Sequence, residues 1–136
     1  MTNTYSFIVY GEAIPKGSTR AFVVNGKAIT TNANKRTKDW QTLVSMAAQE
    51  KKPDKPIGGA VDILLNFYLP RPKSVSEKKR PLPIVKPDLD KLLRCLLDAL
   101  TGIYFLDDAQ VCDIKTSKRY GETPRVEIFV QEGEGI

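Results

Sequence analysis

The chain contains no histidine. That absence removes Ser-His-Asp and Cys-His nucleophilic sites, histidine-metal finger nucleases and most zinc hydrolase centres. Acid–base chemistry must then run through Asp, Glu, Lys, Tyr or water on a metal ion. Cysteine is nearly as scarce: Cys95 and Cys112 are the only two, with no Cys-x-x-Cys spacing. Both read as buried thiols, Cys95 on a helix and Cys112 in a strand. There is no internal repeat, no low-complexity tract and no apolar run long enough to cross a bilayer. The first residues, Met1-Thr-Asn-Thr-Tyr-Ser6, lack the basic start and apolar h-region of a signal peptide, so a cytoplasmic, membrane-free protein is expected.

At 136 residues the chain reads as one domain, 1–136, large enough to bury one core. Its 21 basic against 16 acidic residues give a net charge of +5, which suits a polyanionic partner without demanding one.

The acidic residues that remain are not scattered. Asp88 and Asp90 stand one residue apart at the head of a leucine-rich stretch, and Asp107 and Asp108 follow beyond it. Leu89, Leu92, Leu93, Leu96, Leu97 and Leu100 recur with helical period. Asp90, Arg94 and Asp98 fall four apart on the other face. Pro87 disfavours helix just before this segment, and Gly102 is a ready stop after it. Residues two apart inside a helix diverge, but a cap residue is not helical. With Asp88 as cap and Asp90 in the first turn, the two carboxylates can converge. Taken alone, an Asp-x-Asp at this place is an N-cap followed by a first-turn acid. The second acidic pair and the basic residues around it favour a site. Clustered carboxylates without histidine or paired cysteine suit a hard cation such as Mg²⁺ or Mn²⁺. Asp88-Leu-Asp-Lys-Leu92 lacks the third ligand and the glycine of an EF-hand.

Elsewhere the pattern alternates strand and helix. Tyr5–Tyr10 reads as a strand. The loop 11–20 carries Lys16 and Arg20, and Gly17 would let its backbone approach a phosphate; solvated charge is the other reading. Asn25-Gly26 between Ala21–Val24 and Lys27–Thr30 marks a tight hairpin. Trp40, Leu43, Val44 and Ala47 mark one face of a helix from about Asn34 to Lys51, with Lys35, Arg36 and Lys38 in its first turns. Ala60–Leu69 is a long and central strand. Residues 70–83 hold four prolines and form no regular element. They carry Arg71, Lys73, Lys78, Lys79 and Arg80, a mobile basic loop able to clamp a phosphate backbone or to sit solvated. Gln110–Tyr120 and Arg125–Val130, joined by Gly121–Pro124, read as a final hairpin. The whole is an α/β (α+β) chain: one mixed sheet with two main helices packed on it. Hairpin edges need pairing or cover. Tyr10, Phe22 and Tyr68 could anchor a contact between copies or sit in the core.

The segment resembles the RusA family of Holliday-junction resolvases. The resemblance rests on Lys86-Pro-Asp-Leu-Asp90, Leu97-Asp-Ala-Leu-Thr-Gly102, Leu106-Asp-Asp-Ala-Gln-Val111 and Lys118-Arg-Tyr120. Ile14-Pro-Lys-Gly17 and the Thr30-Thr31 to Trp40 segment echo it more weakly. It implies a homodimeric, Mg²⁺-dependent endonuclease, with Mn²⁺ able to substitute, that resolves four-way DNA junctions by paired symmetric nicks. Its catalytic, metal-holding carboxylates match Asp88, Asp90 and Asp108; Asp98, Asp107 and Asp113 rank as secondary. The family often has Asn at the position of Lys91 and a catalytic Lys at that of Arg94. Arginine keeps the charge but does not readily give up a proton. The expected roles are therefore phosphate neutralisation by Arg94 and Lys91. Backbone tracking falls to Lys16, Arg20, Lys86 and the 71–80 loop. Two other classes stand beside this one: a degenerate branched-DNA-binding module with structural carboxylates, and a Mg²⁺-dependent nucleotide phosphohydrolase. Loss of activity in a chelator separates the first, and a nucleobase pocket would mark the second.

Overall fold

The computed structural model describes residues 3–16, 20–31 and 35–133, and for 20–24 and 27–31 the backbone alone. The elements run β1 (Thr4–Tyr10), β2 (Arg20–Val24), β3 (Lys27–Thr31), α1 (Lys35–Glu50), β4 (Val61–Leu69), α2 (Leu89–Leu100), β5 (Val111–Tyr120) and β6 (Arg125–Glu132). Four of the strands form one mixed sheet in the order β1-β6-β4-β5. The α+β arrangement expected from the pattern is the one observed.

Strict alternation builds the core. Val61, Ile63, Leu65, Phe67 and Leu69 of β4 are buried on one face, joined by Phe7 and Val9 of β1 and Val126, Ile128 and Val130 of β6. Onto them pack Leu92, Cys95, Leu96, Ala99 and Leu100 of α2. On α1 the buried stripe is Thr37, Trp40, Val44 and Ala48. It is rotated from the expected face, and Leu43 is exposed. The reason is partly polar: the Thr37 hydroxyl donates to the Pro15 carbonyl at 3.0 Å, which turns that residue inward. Gln41 donates to the Cys95 carbonyl and Ser45 to that of Ala99, each at 3.2 Å. Equal four-residue steps on both helices mean that α1 and α2 run in the same direction, with their N-termini at one end of the molecule.

The final strands do not form the expected hairpin. β6 lies antiparallel between β1 and β4, and β5 runs parallel to β4 on its far side. Composition explains the exchange. The inner strand must supply buried apolar side chains, which β6 does. β5 carries Asp113, Lys115, Lys118 and Arg119, charges that suit an exposed edge. A parallel neighbour needs a crossover, and α2 provides it. Residues 121–124 then pass over the end of β4, where the Gly121 amide donates to the Leu69 carbonyl at 3.0 Å. A Cβ at Gly121 would stand 3.0 Å from that of Tyr68, so a side chain there would crowd the crossing and glycine relieves it.

Two further expectations separate here. The Asn25-Gly26 hairpin forms, with φ of 52° and 77° at the turn, but as a two-stranded sheet of its own. Cys95 is buried as expected, whereas Cys112 is exposed. The β4–β5 register passes from Val61↔Val111 to Asp62↔Asp113, leaving Cys112 as the extra residue of a bulge on the edge strand.

Candidate active site

The head of α2 is where the first acidic pair lies. Asp88 is the N-cap, extended at φ −72° and ψ 138°, and its side chain makes no capping hydrogen bond. Its carboxylate instead stands 3.6 Å from the Lys91 ammonium, with both side chains close to half exposed. Asp90 is exposed in the first turn, and Arg94 is exposed one turn further along the same face. Lys86 is also exposed, just before the pair.

A residue given no role in the sequence reading holds this geometry. Lys118 of β5 donates to the carbonyls of Val85 and Pro87, both at 2.9 Å. It thereby fixes the chain immediately ahead of Asp88. The signal was present in the alternation. Lys118 pairs with Phe67, an inward-facing residue of β4, so a charge sits on the helix side of the sheet.

The other basic residues divide into those that are committed and those that are not. The Lys16 ammonium contacts the Asp98 carboxylate at 2.5 Å, and its amide donates to the Lys91 carbonyl at 3.2 Å. Lys16 is thus strapped along α2. Arg71 donates to the carbonyls of Ser76, Arg80 and Pro81, and its guanidinium stacks 4.2 Å from the centre of the Tyr120 ring. Arg80 is half-buried. Arg71 organises the 70–83 loop, a series of turns held from within, whereas the Arg80 Nε is buried without a hydrogen-bond partner among the described residues. Lys73, Lys78 and Lys79 are exposed on the loop. The Arg20 side chain and Gly17 lie outside the described residues.

The second acidic pair is divided in its work. Asp107 caps the 3₁₀ turn Asp108–Gln110, accepting from the Ala109 amide at 2.9 Å, while the Gln110 side chain bonds back to the Asp107 and Leu106 amides. Asp108 is exposed. It precedes β5, whereas Lys118 near the other end of β5 touches the residues before Asp88. Asp88 and Asp108 therefore flank opposite ends of α2, which at twelve residues is about 18 Å long. Among the described residues no group of three or more His, Cys, Asp or Glu side chains stands close enough to hold a metal ion. The chain brings Asp88 and Asp90 to one place and leaves Asp108 at another.

Beneath the pair, α2 is chemically quiet. Burial, followed by the nearby Asp98 carboxylate, pushes the Cys95 thiol up to about 11, so it stays protonated near neutrality.

The head of α2 thus carries two exposed carboxylates with Lys86, Lys91 and Arg94 close by, on a histidine-free α+β fold. The Endodeoxyribonuclease RusA family model matches residues 12–131, and the chain belongs to that family of DNA-cutting enzymes. It is also similar to the "Uncharacterized protein YqaN" of Bacillus subtilis (strain 168), 36% identical over 135 residues, spanning 93% of this chain and 94% of that one. Among the described residues no helix is long and apolar enough to cross a membrane.

Proposed function

We propose that residues 1–136 form one nuclease domain that acts as a homodimeric, Mg²⁺-dependent endonuclease on four-way DNA junctions. It would cut by paired, symmetric nicks. The observation that carries this reading is the uncapped, exposed Asp88 beside Asp90 in a chain of the RusA family. Two carboxylates suit Mg²⁺, which keeps several waters and takes the rest of its ligands from a phosphate; Mn²⁺ would serve in its place. When bound, such an ion acidifies water and offsets charge on the phosphoryl transition state.

Asp88 and Asp90 would hold the cation. Arg94 would neutralise the scissile phosphate, and Lys91 would assist it from the Asp88 side. Arg94 lies one turn from Asp90, and its fixed positive charge would offset the negative charge that the in-line displacement builds. Lys118 keeps the pair in position through the Val85 and Pro87 carbonyls. Lys73, Lys78 and Lys79 would track the backbone of a neighbouring arm. Asp108 joins the ligand set only if it comes from a second copy, because α2 holds it away from the pair in its own chain. A two-fold dimer would supply that copy and match the symmetry of the junction.

The experiment is cleavage of labelled four-way junction and linear duplex, with Mg²⁺ or with chelator. Paired nicks on the junction that vanish in chelator are expected. Tight junction binding with no cleavage under any metal would make the protein a branched-DNA-binding module.

A further inference from the structure

The chain ahead of Asp88 carries an apolar tip. Leu82 is 55% exposed, Ile84 81% and Val85 43%, while Pro83 among them is buried. Single exposed apolar side chains are ordinary on a protein surface, but three within four residues form a patch. The tip is held from both sides. Arg71 donates to the carbonyls of Arg80 and Pro81 before it, and Lys118 to those of Val85 and Pro87 after it. The Ile84 amide closes a tight turn on the Leu82 carbonyl at 2.9 Å. Leu82 and Ile84 thus face solvent from a loop that is tied down on either side of them. Every charged residue from Lys78 to Lys86 is a cation: Lys78, Lys79, Arg80 and Lys86.

We infer that Leu82 and Ile84 form a wedge that enters between bases at the branch point of a DNA junction, beside the strand to be cut. The inference rests on the nuclease reading above and adds to it a device that selects a junction over linear duplex. Cations on both flanks of an apolar tip suit a ligand whose phosphates surround an apolar stack of bases. They do not suit a second copy of the tip, whose lysines would meet the same lysines across a two-fold axis. Ile84 precedes Asp88 by four residues, so their Cα atoms lie at most about 14 Å apart, the length of about four base steps. A wedge there acts close to the scissile phosphate. Parting two stacked bases costs energy, and the cost is least where stacking is already interrupted. A branch point is such a place, so the wedge enters a junction more readily than an intact duplex.

The test places the fluorescent base 2-aminopurine at successive positions around the branch point of a four-way junction, and in a linear duplex, under non-cleaving conditions. Wild-type protein is expected to raise the fluorescence at a step beside the branch point and at none in the duplex. The Leu82→Ser, Ile84→Ser double variant should lose that rise and bind the junction about tenfold more weakly, with its duplex affinity unchanged. Leu82→Met with Ile84→Met should keep both, because methionine is also an apolar wedge. Both positions are exposed, and circular dichroism checks that the helices are retained. A serine variant that keeps the rise and the junction preference would overturn the wedge, as would wild-type protein that binds the junction and unstacks no base. A serine variant that sediments as a monomer where the wild type is a dimer would overturn it too, by making the tip a contact between copies. Wild-type protein that fails to bind the junction overturns the nuclease reading itself, a result visible before any variant is made.

Discussion

An aspartate at an N-cap ordinarily turns its carboxylate onto the free amides of the first turn, worth about 1 kcal/mol. Asp88 has the extended dihedrals of a cap and makes no such bond. That carboxylate, turned toward Lys91 instead, is the one proposed above to hold the cation. Asp88→Asn and Asp90→Asn should therefore leave thermal stability within about 0.5 kcal/mol of the parent. They should abolish cleavage while sparing junction affinity. Either variant cutting at the parental rate would end the assignment. Lys118→Met tests the support. Losing two hydrogen bonds from a charged donor to a partly exposed segment should cost about 1–2 kcal/mol. Cleavage of already bound junction should fall more than affinity does, and Lys118→Arg should recover part of it by donating to the same carbonyls. The cysteines offer a simpler check. A thiol reagent at pH 8 should modify exposed Cys112 in the folded protein, and reach Cys95 only on unfolding, since burial and a pKa raised to about 11 both suppress its thiolate. The contrast was hidden in the sequence because both cysteines stand in apolar-patterned segments. What separates them is position: Cys112 lies on the edge strand β5, where residues 112–115 are all exposed, and Cys95 on the buried face of α2.

Elements with strong periodicity were legible: α2 from its leucines, β4 from its alternation, and the β2–β3 turn from Asn25-Gly26. Their neighbours were not. Whether β5 pairs with β6 or with β4 is settled by contacts across the sheet, and a four-residue link fits either a hairpin or a step over the end of β4. The polar character of β5 was visible, and its consequence, an edge position, required knowing that β4 and β6 compete for the interior. The 70–83 segment shows the same limit. Its prolines exclude a regular element, yet nothing in the order of residues says that Arg71 would spend its donors on Ser76, Arg80 and Pro81. The division of labour within this loop is testable. Lys73, Lys78 and Lys79 replaced together by Ala should flatten the slope of log affinity against log salt by up to about three contacts' worth, with stability unchanged. Arg71→Ala should instead loosen the loop and shift protease sensitivity into 72–82. An unchanged salt slope in the triple variant would make the loop a solvated spacer.

At the scale of the molecule, the position of Asp108 is the fact that most needs a partner. Seventeen residues lie between Asp90 and Asp108 in sequence order, and the sequence alone suggests one cluster; α2, as a rigid rod, keeps its two ends about 18 Å apart. The aromatic anchors once available for an interface have thinned. Tyr68 lies under the Arg125 guanidinium at 3.9 Å and donates to Glu127, so it is engaged within its own chain, and the Phe22 side chain is outside the described residues. Tyr10 remains, 62% exposed on the edge strand β1, beside Ile8 at 43%. If a C₂ dimer brings Asp108 of one copy to Asp88 and Asp90 of the other, two inactive proteins should rescue each other. Asp88→Asn mixed and reannealed with Asp108→Asn would give heterodimers in which one site carries both substitutions and the other carries neither. Cleavage should return as single nicks on a junction, at about half the parental number of sites and in proportion to the heterodimer fraction. If instead each chain completed its own site, every site in the mixture would carry one substitution and no activity would appear. Sedimentation of a stable monomer at micromolar concentration would remove the dimer, and with it the only route by which Asp108 reaches the pair.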